Sequence, residues 1–219
     1  MQYQDIRIKK IVFMNHCLLN IDARGPGVAF RQGPSAELIQ IFVNNNINMV
    51  QLPCCECIGW GGAARKEFDK FLPIVTNAAV SGWFPLLIPL LKASLSSYNR
   101  LCRKEAIKVV DRMEDYLREG FTICGVIGMN DSPTCGVTKK VNMVEYMKQM
   151  AIAIHAGNAV DPVKMNCDQL MDGKSFFMGN LIEEMGKRKL DIKVIGYEPW
   201  AESLPDESKR IAQFLDLQT

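Results

Sequence analysis

Three cysteines each stand where a short apolar run stops and a loop begins. Cys17 follows Lys10-Ile11-Val12-Phe13-Met14, Cys54 follows Met49-Val50-Gln51-Leu52-Pro53, and Cys135 closes the stretch Gly125 to Thr134. In an α/β protein, strand ends are where the chemistry is placed. If the three runs are parallel neighbours, their thiols converge on one edge of the sheet. A metal centre held there keeps a coordination position that no cysteine fills, and a metal with an open position acts as a Lewis acid. Thiolates suit iron-sulfur clusters, and iron is soft enough to prefer a thiocarbonyl sulfur to oxygen. Near these cysteines in sequence, Glu56 and Ser132 carry a carboxylate and a hydroxyl, groups able to take or give a proton.

The three cysteines are too far apart for the CxxC pairs of a zinc ribbon or a bacterial ferredoxin, so the tertiary fold must assemble any shared metal. Pro53-Cys54-Cys55-Glu56-Cys57 offers three thiols. In an extended segment alternate side chains face opposite ways, and spacing alone does not choose among them. Cys102, Cys124 and Cys167 read as core or surface thiols. His16 reads equally as a loop hydrogen-bonding group or a substrate contact, while Asn15 and Arg24 are pocket candidates by position alone. Glu56 could instead pair with Arg65 or cap a helix, and Asp131 reads as an Asx-turn residue ahead of Ser132-Pro133. The Gly59-Trp60-Gly61-Gly62 run is either a tight turn or a ligand cradle.

Four segments, Lys9 to Met14, Met49 to Leu52, Phe121 to Met129 and Ile192 to Tyr197, have the β-branched character of buried parallel strands. Helical patterns lie between them. Ser35 is placed to cap a helix carrying Leu38, Ile39, Phe42 and Val43 up to the Asn44-Asn45-Asn46 run. Arg103 to Glu119 puts Ile107, Val110, Met113 and Leu117 on one stripe before Gly120, and Phe176 to Met185 makes another before Gly186. Strand alternating with helix predicts a single three-layer, Rossmann-like α/β domain over 1–219 with a mainly parallel sheet. Residues 67–98 read as a helical insertion, and Val141 to Asp172 as a Met-rich helix followed by a loop. Either could lie over the strand ends as a lid.

The 219 residues are 48% hydrophobic, enough for one sizeable core. With 26 basic and 24 acidic side chains nearly cancelling, no charge excess points to nucleic acid or a membrane surface. The expected partner is a small neutral or anionic molecule, and a homodimer is compatible with the chain. Val80 to Leu91 is too short to span a bilayer and is interrupted by Pro85 and Pro89. The polar start, Met1 to Ile8, lacks a secretory h-region, so the chain reads as cytoplasmic, where eight cysteines are ligands, catalytic thiols or core residues rather than a disulfide framework.

His16-Cys17-Leu18-Leu19-Asn20, Leu52-Pro53-Cys54-Cys55-Glu56 and Asn130-Asp131-Ser132-Pro133-Thr134-Cys135-Gly136 resemble the three signatures of the thiouracil desulfidase (TudS)-like family. Those signatures are CLLG-like, CPE, and SPSCG or SPTCG, in this order. Gly173-Lys174-Ser175-Phe176-Phe177-Met178 is similar to the family's GKGIFM segment, and Ile195-Gly196-Tyr197 to its final strand. The resemblance implies a [4Fe-4S] cluster held by Cys17, Cys54 and Cys135, with the fourth iron open to the sulfur of a thiolated small molecule such as a thiopyrimidine. It also maps the family's Glu onto Glu56 and its Ser onto Ser132. Cys55 replaces the proline of the second signature. With Cys57 close by, one alternative is a fully ligated iron-sulfur protein that binds or senses without catalysis; a separate alternative is a protein whose cluster carries the extra sulfide to an acceptor.

Overall fold

A computed structural model describes residues 5–218, apart from the side chains of Phe68 and Asp69, so Met1 to Gln4 of the polar N-terminal run lie outside the described residues. The first strand, β1 (Lys10–Met14), leads into a short helix α1 (His16–Leu19) and a 3-10 turn at Ile21–Ala23. Helix α2 (Ala36–Asn44) follows, then β2 (Asn48–Gln51), α3 (Cys55–Gly59), α4 (Lys66–Val80), α5 (Phe84–Arg118) and β3 (Thr122–Met129). A small strand β4 (Lys139–Val141) precedes α6 (Met143–His155), α7 (Pro162–Asp168) and β5 (Leu170–Asp172). The chain closes with α8 (Phe176–Lys187), β6 (Val194–Tyr197) and α9 (Leu204–Phe214).

The four predicted strands form one parallel sheet in the order β2-β1-β3-β6, giving the expected mainly parallel α/β fold. Its centre is apolar on both faces: Val12, Phe13, Met14, Val126, Ile127 and Met129 are fully buried. Such strands must be covered by helices on both sides. Right-handed crossovers supply the cover. The β1-to-β2 connection runs one way along the sheet and the β3-to-β6 connection the other, so α2 and α8 lie on opposite faces. Accordingly α9 packs with α2, and α5 packs with α8. The reversal between β1 and β3 opens a crevice at the strand C-termini, the place where such sheets bind ligands. Where β1 pairs with β3, the register shifts between Ile11 and Val12; Cys124, inside the strand, is the residue skipped.

Several local expectations change. The helix read from Arg103 begins at Phe84 and runs for 35 residues, because Pro85 falls in its first turn, where a missing N–H costs no hydrogen bond, and Pro89 is accommodated one turn later. The helical insertion is therefore α4 plus the first half of α5, continuous with a core helix. Ser35 stands at the start of α2, yet its buried hydroxyl caps no N–H and has no hydrogen-bond partner among the described residues. The region read as a helix and a loop carries a second helix, α7, and an antiparallel pair, β4 with β5. Beneath α4, α5 and α6 lies a second apolar cluster that includes Val75, Phe84, Leu87, Leu91, Met143 and Met147. Among the described residues, no helix is long and apolar enough to cross a membrane.

The loop after β3 folds back with no room to spare. A Cβ at Gly136 would run into the carbonyl oxygen of Lys139, and one at Gly128 into that of Cys135. Gly186 in α8 has open space around it. Gly136→Ala should therefore lower unfolding stability by about 2–3 kcal/mol and the thermal midpoint by roughly 6 °C. Gly186→Ala should raise stability by about 0.5–1 kcal/mol. Thermal and denaturant unfolding of the two variants measures both, and equal effects would contradict this account of the loop.

Candidate functional site

The crevice at the switch point is a cavity of about 230 Å³ whose lining includes Cys17, Cys54, Cys135, Glu56 and Ser132. All five candidate residues therefore reach one space, joined by Asn15, Arg24, Arg65 and Asp131. His16, beside Cys17 in sequence, does not line it; burial, and secondarily the charge of Arg65, lower its pKa.

Each cysteine comes from the loop after a different strand. Cys17 lies in α1, just past β1, with the Asn15 side-chain amide donating to its sulfur at 3.4 Å. Cys54 is the N-cap of α3, and its sulfur accepts the Cys57 N–H at 3.4 Å. Because the segment turns helical at Cys55 instead of staying extended, successive side chains fan out in different directions. Cys55 enters the core against Cys102, and its pKa is raised first by that contact and then by burial. The Cys57 sulfur lies between the Ala23 carbonyl oxygen at 3.7 Å and the Arg65 guanidinium at 3.0 Å. Of the three neighbouring thiols, Cys54 alone lines the cavity.

Cys135 is set by the Ser132-Pro133-Thr134 turn, which is pinned from several sides. The Ser132 hydroxyl oxygen accepts the N–H groups of Thr134 and Cys135, both at 3.1 Å, which turns its own proton toward Glu56 Oε1 at 3.1 Å. The start of α8 clamps the same turn: Phe177 and Met178 donate N–H bonds to the Thr134 carbonyl, and the Ser175 hydroxyl donates to that of Ser132 at 2.7 Å. Here the Gly173-to-Met178 segment acquires a physical role, since free N–H groups of a helix start hold the loop. The Tyr98 hydroxyl adds a buried bond with Thr134 Oγ1 at 2.8 Å, and Trp60 stacks on the Tyr98 ring. Gly61 and Gly62 both adopt positive φ, so the run around Trp60 is a tight turn that brings the indole to the cavity.

Two arginines neutralise the polar floor. Arg24 grips Asp131 with two bonds, of 3.0 and 2.5 Å, with both side chains over nine-tenths buried. Asp131 is thus an ion-pair residue, where the sequence suggested an Asx turn. Arg65 takes a left-handed backbone, φ 53 and ψ 37, to reach inward. It donates to the Ala23 and Gly62 carbonyls at 2.6 Å each, to Cys57 at 3.0 Å and to Glu56 Oε2 at 3.3 Å. Glu56 is therefore held by Ser132 at one oxygen and by Arg65 at the other. Sequence reasoning named Arg65 only as a partner for Glu56 and missed Tyr146, Met150 and Asn166, all of which line the cavity. For Tyr146 and Met150 the Met-rich helical pattern was the available signal. Asn166, whose side-chain amide donates to the Asp131 carbonyl, had none.

Burial governs the thiols. It pushes Cys17 up to about 12, with Arg24 opposing, and Cys54 up to about 12, helped by the charge of Glu56. Cys135 is raised well above the ordinary thiol range by burial, then by Glu56 and by the neighbouring Cys17 and Cys54. These thiols stay protonated at neutral pH until something draws their protons off, as metal binding does. Among the described residues, no three His, Cys, Asp or Glu side chains close around one metal ion. A cluster differs in that its thiolates bind separate irons and stand farther apart. The donor set of three thiols with donors at two sulfurs and two nearby guanidiniums fits such a group.

The chain is similar to the uncharacterized protein MJ0003 of Methanocaldococcus jannaschii, with 24% identity over 148 residues, 65% of this chain and 78% of that protein. No family model matches the chain, and no solved structure matches it. A likeness of that degree establishes no family, so the TudS-like assignment rests on the motif residues.

Removing Asp131 would leave the Arg24 charge buried and unpaired. Asp131→Ala should cost about 3–5 kcal/mol of stability. The double variant Arg24→Met, Asp131→Leu should recover most of that loss, because it leaves neither charge behind. Denaturant unfolding of the cluster-free protein tests this, and a neutral Asp131→Ala would show that the pair is not held as described.

Proposed function

We propose that the protein is a [4Fe-4S]-dependent, non-redox desulfidase that replaces the sulfur of a thiolated small molecule, such as a thiopyrimidine, with oxygen from water. The observation that carries this reading is the convergence of Cys17, Cys54 and Cys135 with Glu56 and Ser132 in one cavity at the switch point of a parallel sheet. The motif resemblance supports it from the sequence side.

Cys17, Cys54 and Cys135 would hold the cluster. When bound through three thiolates, it supplies an iron with a free position, a Lewis acid with an affinity for sulfur. The remaining work belongs to side chains. Glu56 takes a proton from the attacking water as the new carbon-oxygen bond forms, and the carbon-sulfur bond breaks with its electron pair leaving on sulfur. The balance is thiocarbonyl plus water giving carbonyl plus hydrogen sulfide, so no oxidant or reductant is consumed. Arg65 keeps the carboxylate aimed by holding Oε2. Ser132 fixes the other oxygen and lies where its hydroxyl can pass a proton between Glu56 and a ring nitrogen. Leu72, Met143 and Ile154 also line the cavity and give it apolar wall surface beside the reacting groups.

The fully ligated reading needs Cys57 at the cluster, and its sulfur faces Ala23 and Arg65 instead. Anaerobic reconstitution should therefore load about four irons per chain, with broad thiolate-to-iron absorption. Alanine at Cys17, Cys54 or Cys135 should each abolish loading, while alanine at Cys57, Cys124 or Cys167 should not. Stoichiometric zinc with no iron uptake would count against the proposal. Glu56→Gln should keep the cluster and lower sulfide release by roughly 10²-fold, and Ser132→Ala should lower it less. Turnover should be indifferent to added electron donor; donor-dependent turnover or a fully active Gln variant would reject the mechanism.

A further inference from the structure

One wall of the cavity has a composition unlike the rest. Met143, Tyr146, Met150 and Ile154 follow the three- and four-residue steps of a single face of α6, and all four line the space. Leu72 of α4 joins them. This wall is apolar except for one group, the Tyr146 hydroxyl. The polar groups facing it are already engaged: Arg24 with Asp131, Arg65 with two carbonyls and Glu56, and Ser132 with Glu56. The Tyr146 hydroxyl makes no hydrogen bond with any described residue. Its side chain is half-buried, and a ligand that covers it takes the hydroxyl out of water, which costs binding energy unless that ligand supplies an acceptor. Burial pushes its pKa up to about 12, helped by the charge of Glu56 and opposed by that of Arg24, so it remains a donor at neutral pH and stands within electrostatic reach of the floor.

We infer that Tyr146 is a specificity-determining residue, its hydroxyl donating a hydrogen bond to a ring carbonyl of a planar thio-heterocycle whose sulfur faces Cys17, Cys54 and Cys135. The inference rests on the desulfidase reading for the direction of the sulfur. Met143 and Met150 flank Tyr146 on the stripe, and thioethers pack favourably on aromatic rings while adapting to their outline. The wall therefore accepts a flat ring by shape and reads one acceptor on it by hydrogen bonding. The acceptor is reached from α6, whereas the sulfur is reached from the sheet, so the two ends of the substrate are recognised by different parts of the chain.

Tyr146→Phe removes only the hydroxyl. Equilibrium binding to the cluster-loaded protein is measured for 2-thiouracil, which has a ring carbonyl as well as a thiocarbonyl, and for pyrimidine-2-thione, which lacks the carbonyl. Affinity of the variant for 2-thiouracil should fall about tenfold, the scale of one neutral hydrogen bond. Affinity for pyrimidine-2-thione should be the same in both proteins, with cluster absorption and thermal midpoint unchanged. Equal losses for the two ligands, or no loss for either, would overturn the role of Tyr146 and leave the desulfidase reading intact so long as the wild type binds 2-thiouracil. Failure of the loaded wild type to bind either ligand would overturn both.

Discussion

Charge balance in a recessed crevice is the constraint on which the site depends. Three thiols, Glu56 and Asp131 share a recessed, largely apolar-walled space, where a negative charge is poorly solvated and is best met from within the protein. Arg24 and Arg65 meet it. Arg24 is spent on Asp131 with two parallel bonds, the strongest arrangement open to a guanidinium. Arg65 spreads over two carbonyls, a carboxylate and the Cys57 sulfur, and also lies 3.8 Å from the Cys54 sulfur. With the thiols protonated, the floor is neutral. With a cluster bound, the protons leave and the two guanidiniums lie beside the sulfurs that acquire charge.

The backbone is arranged to bring those groups together. The reversal between β1 and β3 leaves a gap that no crossover fills, and the loops after β1, β2 and β3 all open into it. Closure at the outer side comes from α4 and α6, which pack on each other over the second apolar cluster. The Ser132 turn joins the parts: it is held by α8 through Thr134, by α5 through Tyr98, and it holds Glu56 through its hydroxyl. A displacement of α8 or α5 would therefore be felt at the carboxylate.

Much of this was legible in the chain. The four strands could be read because a strand buried on both faces is a run of β-branched and apolar residues, and the three cysteines because each follows such a run. The disposition of Cys54, Cys55 and Cys57 could not, because it depends on the chain turning helical at Cys55, a change that leaves no periodic trace in five residues. Asp131 was misread for a related reason: local sequence favours the turn, and its partner Arg24 comes from a distant loop. Arg65 was legible as a partner for Glu56, but its reach to the Ala23 and Gly62 carbonyls and to Cys57 was hidden by a left-handed backbone that nothing in Ala63-Ala64-Arg65 signals. The long α5 was divided because Pro89 looks like a break until Pro85 is seen to sit in the first turn. Tyr146 showed only as part of a Met-rich helix, since which face of α6 meets the cavity is settled by its packing on α4.

The central claim is that three thiolates hold a cluster with one iron left free for sulfur. Mössbauer spectroscopy of the anaerobically reconstituted, iron-57-loaded protein, with and without 2-thiouracil, tests it most directly. The account predicts that about one iron in four is distinct from the others and that this subsite alone shifts when the thio-compound is added. Irons that are all equivalent and indifferent to 2-thiouracil, or a reconstituted protein that holds no cluster, would contradict it.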